Sequence, residues 1–145
     1  MNFFNALHVS SSGLTAQRLR MNVISSNLAN VNSTRTKEGG PYIRKDIIFK
    51  AIPSNYTFNQ ILEKQITNGI KDVKVVGIVN DNREPILKYN PGHPDADENG
   101  YVKIPNINIV EEMVNMISAT RSYEAGVTAI NATKNMALKA LEIGK

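Results

Sequence analysis

The sequence predicts a mainly α fold with a small β-rich insert, in which long N- and C-terminal helices pack as an antiparallel or coiled-coil pair. Apolar residues recur at helical spacing near both ends of the 145-residue chain, and β-branched runs separated by turn residues occupy its centre. We expect an N-terminal helical segment over residues 1–36, a β-rich insert over residues 37–105 and a C-terminal helix over residues 106–145.

The N-terminal helix is predicted from apolar residues spaced by four and three over residues 3–31. Leu7, Leu14, Met21 and Leu28 recur at every seventh position. Ser and Gly are poor helix formers, so the run Ser10–Gly13 predicts a break or kink. Polar residues after Leu28 end the pattern, and residues 33–40 are expected to form a loop.

The centre contains four candidate strands, at residues 43–49, 71–79, 85–89 and 101–104. The residues from Asn90 to Gly100 are rich in turn formers and separate the last two strands. Residues 58–66 fit a helix or an ordered loop equally well. The insert is therefore small, with short strands and loops.

The C-terminal helix is predicted over residues 109–141, again from apolar residues spaced by four and three. Asn106 or Asn108 can cap its start, Glu111 and Glu112 suit the positive end of the helix dipole, and Gly144 marks its end. Gly126 costs about 1 kcal/mol relative to Ala in a helix interior.

Helix length indicates assembly rather than catalysis. At ~1.5 Å per residue the C-terminal helix measures about 50 Å, whereas a compact chain of this length has a radius of gyration near ~15 Å. The apolar faces are expected to pack against each other and against neighbouring subunits. The predicted assembly interface consists of Leu7, Leu14, Met21, Ile24, Leu28, Val31, Met113, Met116, Tyr123, Val127, Ile130 and Leu141.

Composition and motifs give no sign of an enzyme or a cofactor. The chain has no Cys and two His, and it lacks the G-x-S-x-G, P-loop and G-x-G-x-x-G motifs. Asp95–Gly100 resembles the start of a calcium loop, but Asn106 stands where that loop needs a bidentate Glu, so a turn is expected. We therefore predict no catalytic, cofactor-binding or metal residues.

Charge and hydropathy exclude further classes. The net charge of +4 arises from residues 1–37, which hold four cations, no acidic residue and no interleaved aromatic pattern, so nucleic-acid binding is not expected. No segment approaches the ~18 apolar residues of a membrane span. The first cation is Arg18, so the sequence predicts no cleaved Sec-type signal peptide.

Several motifs resemble those of bacterial flagellar rod and hook proteins, the axial family. At the two ends they are Ser12–Asn32, Glu111–Ala125 and Ala129–Leu138. Two central motifs, Gly39–Lys45 (GGPYIRK) and Tyr89–Val102 (YNPGHPDADENGYV), narrow the resemblance to proximal rod proteins. The resemblance extends over nearly the whole chain.

The resemblance implies a structural subunit that polymerises into the rod, a drive shaft transmitting motor torque to the hook and filament. The terminal helices would form the inner core around the export channel, with the β-rich part outside. Export would proceed through the flagellar type III apparatus, and the location would be the periplasmic rod of the basal body. Implied neighbours are further copies of the chain, FlgB, FlgF, the distal rod protein FlgG and the adaptor FliE.

Two alternatives remain open from the sequence. A paralogous rod or hook subunit would differ mainly in the insert. A stand-alone coiled-coil interaction protein would form a fixed dimer or tetramer, which sedimentation distinguishes from a co-polymer.

Overall fold

A computed structural model describes residues 3–53 and 71–143. The elements follow in the order α1 (Phe3–Ala29), β1 (Lys45–Pro53), β2 (Lys71–Asn80), β3 (Ile86–Tyr89), β4 (Tyr101–Ile104) and α2 (Ile109–Ile143). Along the chain, two long helices thus precede and follow a small β insert, as the sequence predicts. The undecided segment 58–66 and the predicted helix end at Gly144 lie outside the described residues.

Helix α1 is continuous over its 27 residues, and the predicted break at Ser10–Gly13 is wrong. The hydroxyl groups of this stretch bond to helix carbonyls instead of competing with the helix. Ser12 Oγ donates to the Val9 carbonyl at 2.7 Å and Thr15 Oγ1 to the Ser11 carbonyl at 3.1 Å. The local cost of Ser and Gly is therefore too small to interrupt a long helix.

The described part of the insert contains two separate two-stranded sheets, β1 with β2 and β3 with β4. Strand β1 starts two residues later than predicted and continues to Pro53, because ten-residue β2 offers a partner beyond the β-branched run. Pairing with a neighbour, rather than local propensity, sets this boundary.

The second sheet is an antiparallel hairpin whose register pairs Ile86 with Ile104 and Tyr89 with Tyr101. The connecting turn is held by Asp97, whose carboxylate accepts the Asn99 and Tyr101 backbone N–H groups at 3.0 and 2.8 Å. Gly100 has a φ of +81°, which favours glycine. The residues that resemble a calcium loop thus form the expected turn.

Helix α2 begins at Ile109, after a cap formed by Asn108. Asn108 Oδ1 accepts the Val110 N–H at 3.0 Å and the Glu111 N–H at 3.4 Å. The other candidate cap, Asn106, donates to the Glu84 carbonyl at 3.1 Å instead.

The described chain divides into two compact units, each built from parts of both helices and of the β1–β2 ribbon. One contains Met1–Leu19, Ile48–Gly77 and Ala119–Lys145, and the other contains Arg20–Ile47 and Ile78–Ser118. The buried apolar side chains of the second unit include Val23, Ile24, Ile47, Val102 and Ile107, whereas Ala16 and Ala119 are buried in the first. These cores are small for helices of this length.

Candidate assembly interface

A polar cluster of Asn27, Tyr42, Arg44 and Glu112 joins both helices to the start of β1 within the second unit; Asn27 and Glu112 are buried, and Tyr42 and Arg44 are half-buried. We call it the polar clasp. Asn27, near the end of α1, is only 1% exposed. Its Nδ2 donates to the Lys45 carbonyl at 2.8 Å and to Glu112 Oε2 at 3.0 Å. Its Oδ1 accepts the Lys45 N–H at 3.0 Å and the Tyr42 hydroxyl at 3.1 Å. All four hydrogen-bonding positions of the amide are therefore used.

Glu112, in the first turn of α2, supplies the negative charge of the clasp and is 1% exposed. Arg44 Nε donates to Glu112 Oε1 at 2.9 Å, and Arg44 Nη2 lies 2.8 Å from the same oxygen. Burial alone would lower the pKa of Arg44, but hydrogen bonds and charge from Glu112, followed by Asp46, raise it above its ordinary value. These carboxylates therefore offset the cost of partly burying the guanidinium charge.

An extension of the clasp towards solvent includes half-buried Asp81 and exposed Asp46 and Arg83. Arg44 Nη1 lies 3.2 Å from Asp46 Oδ2 and 3.6 Å from Asp81 Oδ2, so the guanidinium has carboxylates on several sides. Hydrogen bonds from the side chain and then the backbone N–H of Arg83 lower the pKa of Asp81. The Asp81 N–H also donates to the Arg44 carbonyl at 2.8 Å. The end of β2 is thereby attached to the residue before β1.

The clasp has a structural character rather than a catalytic one. Glu111 is exposed while its neighbour Glu112 is buried and paired, so the two carboxylates do not converge on one substrate. The sequence assigned both to the helix dipole; for Glu112 the structure adds an ion pair and a hydrogen bond to Asn27. In the described ranges, no group of three or more potential metal-binding side chains is found.

In the first unit, α1 approaches α2 at Leu14 and Gly126. A Cβ atom added at Gly126 would lie 2.8 Å from Leu14 Cδ2, so the absence of a side chain on α2 makes room for the leucine. Gly126, interpreted from the sequence only as a helix-weakening residue, is therefore a packing notch. The apolar residue Val127 beside it is half-buried.

Helix α1 of the same unit is also attached to β2. His8 Nδ1 lies 3.1 Å from Oδ1 of buried Asp72, and the Val73 N–H donates to Ser12 Oγ at 3.2 Å. His8 and Ser12 are one helical turn apart, so one face of α1 holds the start of the strand.

The residues of the predicted interface differ in exposure. Ile24 is buried, and Met113 and Leu141 are exposed. The remaining nine are half-buried, namely Leu7, Leu14, Met21, Leu28, Val31, Met116, Tyr123, Val127 and Ile130. Within this set, Val31 lies beyond α1, which ends at Ala29. Leu14 is the member for which a close approach to the other helix is seen, at Gly126.

The sequence analysis did not predict a second apolar face on α2. Val110, Met113, Val114 and Ile117, which we call the outer helix stripe, are between 51 and 69% exposed. Their spacing of three, one and three residues places them on one side of the helix, opposite buried Glu112 and Ala119. The sequence signal was available, since six of residues 109–117 are apolar and only one side of this stretch carries its polar residues, Glu111, Glu112 and Asn115. The predicted seam included Met113 alone of the four.

None of the helices among the described residues combines the length and apolar character that a bilayer crossing requires.

Two family comparisons agree with a helix-insert-helix subunit of the flagellar axial structure. The family "Flagella basal body rod protein" matches residues 7–35, and "Flagellar basal body rod FlgEFG protein C-terminal" matches residues 98–143. The two matches include most of α1 and all of α2. The class defined by fold and site is therefore a rod subunit of the flagellar basal body.

Curated relatives narrow that class. The chain is 49% identical to the flagellar basal-body rod protein FlgC of Borreliella burgdorferi, over 99% of this chain and 98% of the relative. It is 49% identical to the FlgC of Bacillus subtilis and 41% identical to that of Salmonella typhimurium, over the full length of both chains in each case. The chain belongs to the FlgC family of flagellar basal-body rod proteins, and it is a structural subunit of the rod.

Proposed function

We propose that the chain polymerises through its terminal helices into the proximal rod, the drive shaft that transmits motor torque to the hook and filament and surrounds the export channel. The observation that carries this proposal is the outer helix stripe. An apolar stripe on a helix is ordinarily buried against another part of the protein or of a partner. In the isolated chain the outer face is exposed, so it is suited to cover by a neighbouring subunit.

The two helices are proposed to pack as an antiparallel, coiled-coil-like pair that forms the inner core of the rod. Each compact unit, taken by itself, contains a contact that supports the pairing. These contacts are Leu14 at the Gly126 notch in one unit and Asn27 with Glu112 in the other. Residues 1–36 and 106–145 would then form the core, and residues 37–105 the outer insert.

Association with other rod proteins follows from family membership. We further propose FlgB, FlgF and FlgG as neighbours, FliE as the adaptor at the base, and self-association within the rod. Export would proceed through the flagellar type III apparatus without a cleaved signal, and the assembled position would be periplasmic. The proposal assigns no reaction and no cofactor to the chain.

Two measurements test the proposal. Mass spectrometry of purified hook–basal bodies is expected to find the chain, and its absence from intact particles would exclude a rod role.

Met113→Asp places a charge on the outer helix stripe and is expected to abolish swimming, since burying an unpaired carboxylate costs several kcal/mol. Met113→Leu keeps the site apolar and is expected to swim normally. Normal swimming of the Asp variant would contradict the proposed interface.

A further inference from the structure

The β3–β4 hairpin has an apolar face that nothing in its own unit covers. Strand alternation and the hairpin register place Leu87, Tyr89, Tyr101 and Lys103 together, and we call them the outer hairpin face. Val102, between two of them in sequence, points to the opposite side and is buried. The three apolar members are between 42 and 64% exposed. Tyr89 and Tyr101 pack edge to face, with ring centroids 5.3 Å apart.

This face has the composition of an interaction site. Tyrosine is enriched where interfaces bind most strongly, because its ring buries a large area at a small cost in conformational entropy. Lys103 lies directly opposite Leu87 in the register and adds a positive charge to the edge of the face. A complementary surface would be apolar, elongated and bordered by a carboxylate.

The outer helix stripe has these properties and belongs to the same compact unit. Its four apolar side chains extend over two turns of α2, long enough to lie along a short hairpin. Glu111 is exposed and lies three residues before Val114, so a carboxylate borders the stripe. The two surfaces are both exposed in one chain, so they do not cover each other within it.

We propose that the outer hairpin face of one copy docks on the outer helix stripe of a second copy of this chain, with Lys103 beside Glu111 of the neighbour. The inference rests on the proposed rod function and specifies a contact between copies. The two surfaces are different, so the contact is head-to-tail and leaves one of each free at the ends. Contacts of this kind build rings or open helices rather than closed dimers.

The contact is too small to act alone. Each surface contributes four principal side chains, whereas a standard interface has about 20–30 residues on each side. A pair of copies is therefore weakly associated in dilute solution. In the rod, neighbouring contacts hold the copies at high effective concentration, and the same small interface becomes occupied.

The absence of Cys from the chain permits a direct test by cross-linking. The double variant Leu87→Cys with Val114→Cys is expressed in cells lacking the native protein, and their hook–basal bodies are treated with a short bismaleimide. We expect a ladder of products at multiples of 16.0 kDa. Each single variant has half of the contact and is expected to remain monomeric.

Every outcome is decisive for the contact. Dimers from either single variant would show a symmetric interface and overturn the proposal, as would a double-variant product joined to a different rod protein. A double variant that is present in basal bodies and stays monomeric also overturns it, while leaving the rod function intact. Absence of the unsubstituted chain from basal bodies would instead contradict the rod function itself.

Charge reversal tests the orientation of the contact. In the double-cysteine background, Lys103→Glu and Glu111→Lys are each expected to lower the cross-link yield about fivefold, the effect of one lost ion pair at an interface edge. Combining them restores opposite charges and is expected to restore the yield. Equal yields in the single reversals and the parent would refute the pairing of these two side chains.

Discussion

Glu112→Gln offers a sharp test of the polar clasp, because it changes charge and hydrogen bonding while keeping shape. The native carboxylate accepts hydrogen bonds from Asn27 Nδ2 at 3.0 Å and from Arg44 Nε at 2.9 Å. The new amide has one oxygen and one NH₂ group, so one of these donors faces another donor. The ion pair between Glu112 and Arg44 is lost at the same time.

The size of the expected loss in stability depends on the carboxylates that remain near Arg44 in the variant. Removing one partner of a fully buried ion pair typically costs about 3–5 kcal/mol, because the remaining charge is left uncompensated. Here the Arg44 side chain is 13% exposed and keeps Asp46 at 3.2 Å and Asp81 at 3.6 Å. We therefore expect an effect at or below the lower limit of that range, a loss of about 2–3 kcal/mol in the free energy of unfolding.

Urea unfolding followed by circular dichroism measures this loss, and Glu111→Gln is the matched control. Glu111 has the same charge one position earlier but is exposed. Its charge acts weakly, on exposed Arg83 outside the four clasp residues, so its substitution is expected to cost less than about 0.5 kcal/mol. Equal and small effects of the two substitutions would refute the assignment of the clasp as a stabilising element.

Three further changes test particular contacts, each measured as a change in urea midpoint. Gly126→Ala would place a methyl group 2.8 Å from Leu14 Cδ2, so the leucine must shift and the gain of about 1 kcal/mol in helix propensity is expected to be reduced. In a Leu14→Ala background the full gain is expected, and equal gains in the two backgrounds would contradict the notch. Gly100→Ala should cost about 1–3 kcal/mol, and more than the control Gly39→Ala. Both glycines have a positive φ, but only a methyl group at position 100 would meet neighbouring side chains. Equal costs would refute the steric argument. The lowered pKa of Asp81 predicts that its contribution to stability is present above an ordinary Asp pKa of about 4 and is lost as pH falls through the lowered value. The urea midpoint of Asp81→Asn should therefore fall less steeply in acid than that of the native chain. An unchanged dependence of the midpoint on pH would contradict this reasoning.

Local pattern was sufficient to predict the elements of the fold. Period and β-branching located both helices and all four described strands to within a few residues, because spacing and side-chain shape act over a few positions. Asn108 was recognised as a possible cap for the same reason, since an N-cap bonds to N–H groups two and three residues ahead. The resemblance to axial proteins was equally readable from contiguous motifs.

The tertiary structure alone decided which side chains act together. Asn27 and Glu112 are 85 residues apart, and neither helical periodicity nor capping preference relates them. From the sequence, Gly126 was interpreted only as a residue that weakens a helix. The structure shows that its missing side chain makes room for Leu14. The outer helix stripe was missed because the sequence shows which residues of a helix are apolar, not which of them the rest of the chain covers. Burial is a property of what packs nearby, and that depends on residues far away along the chain.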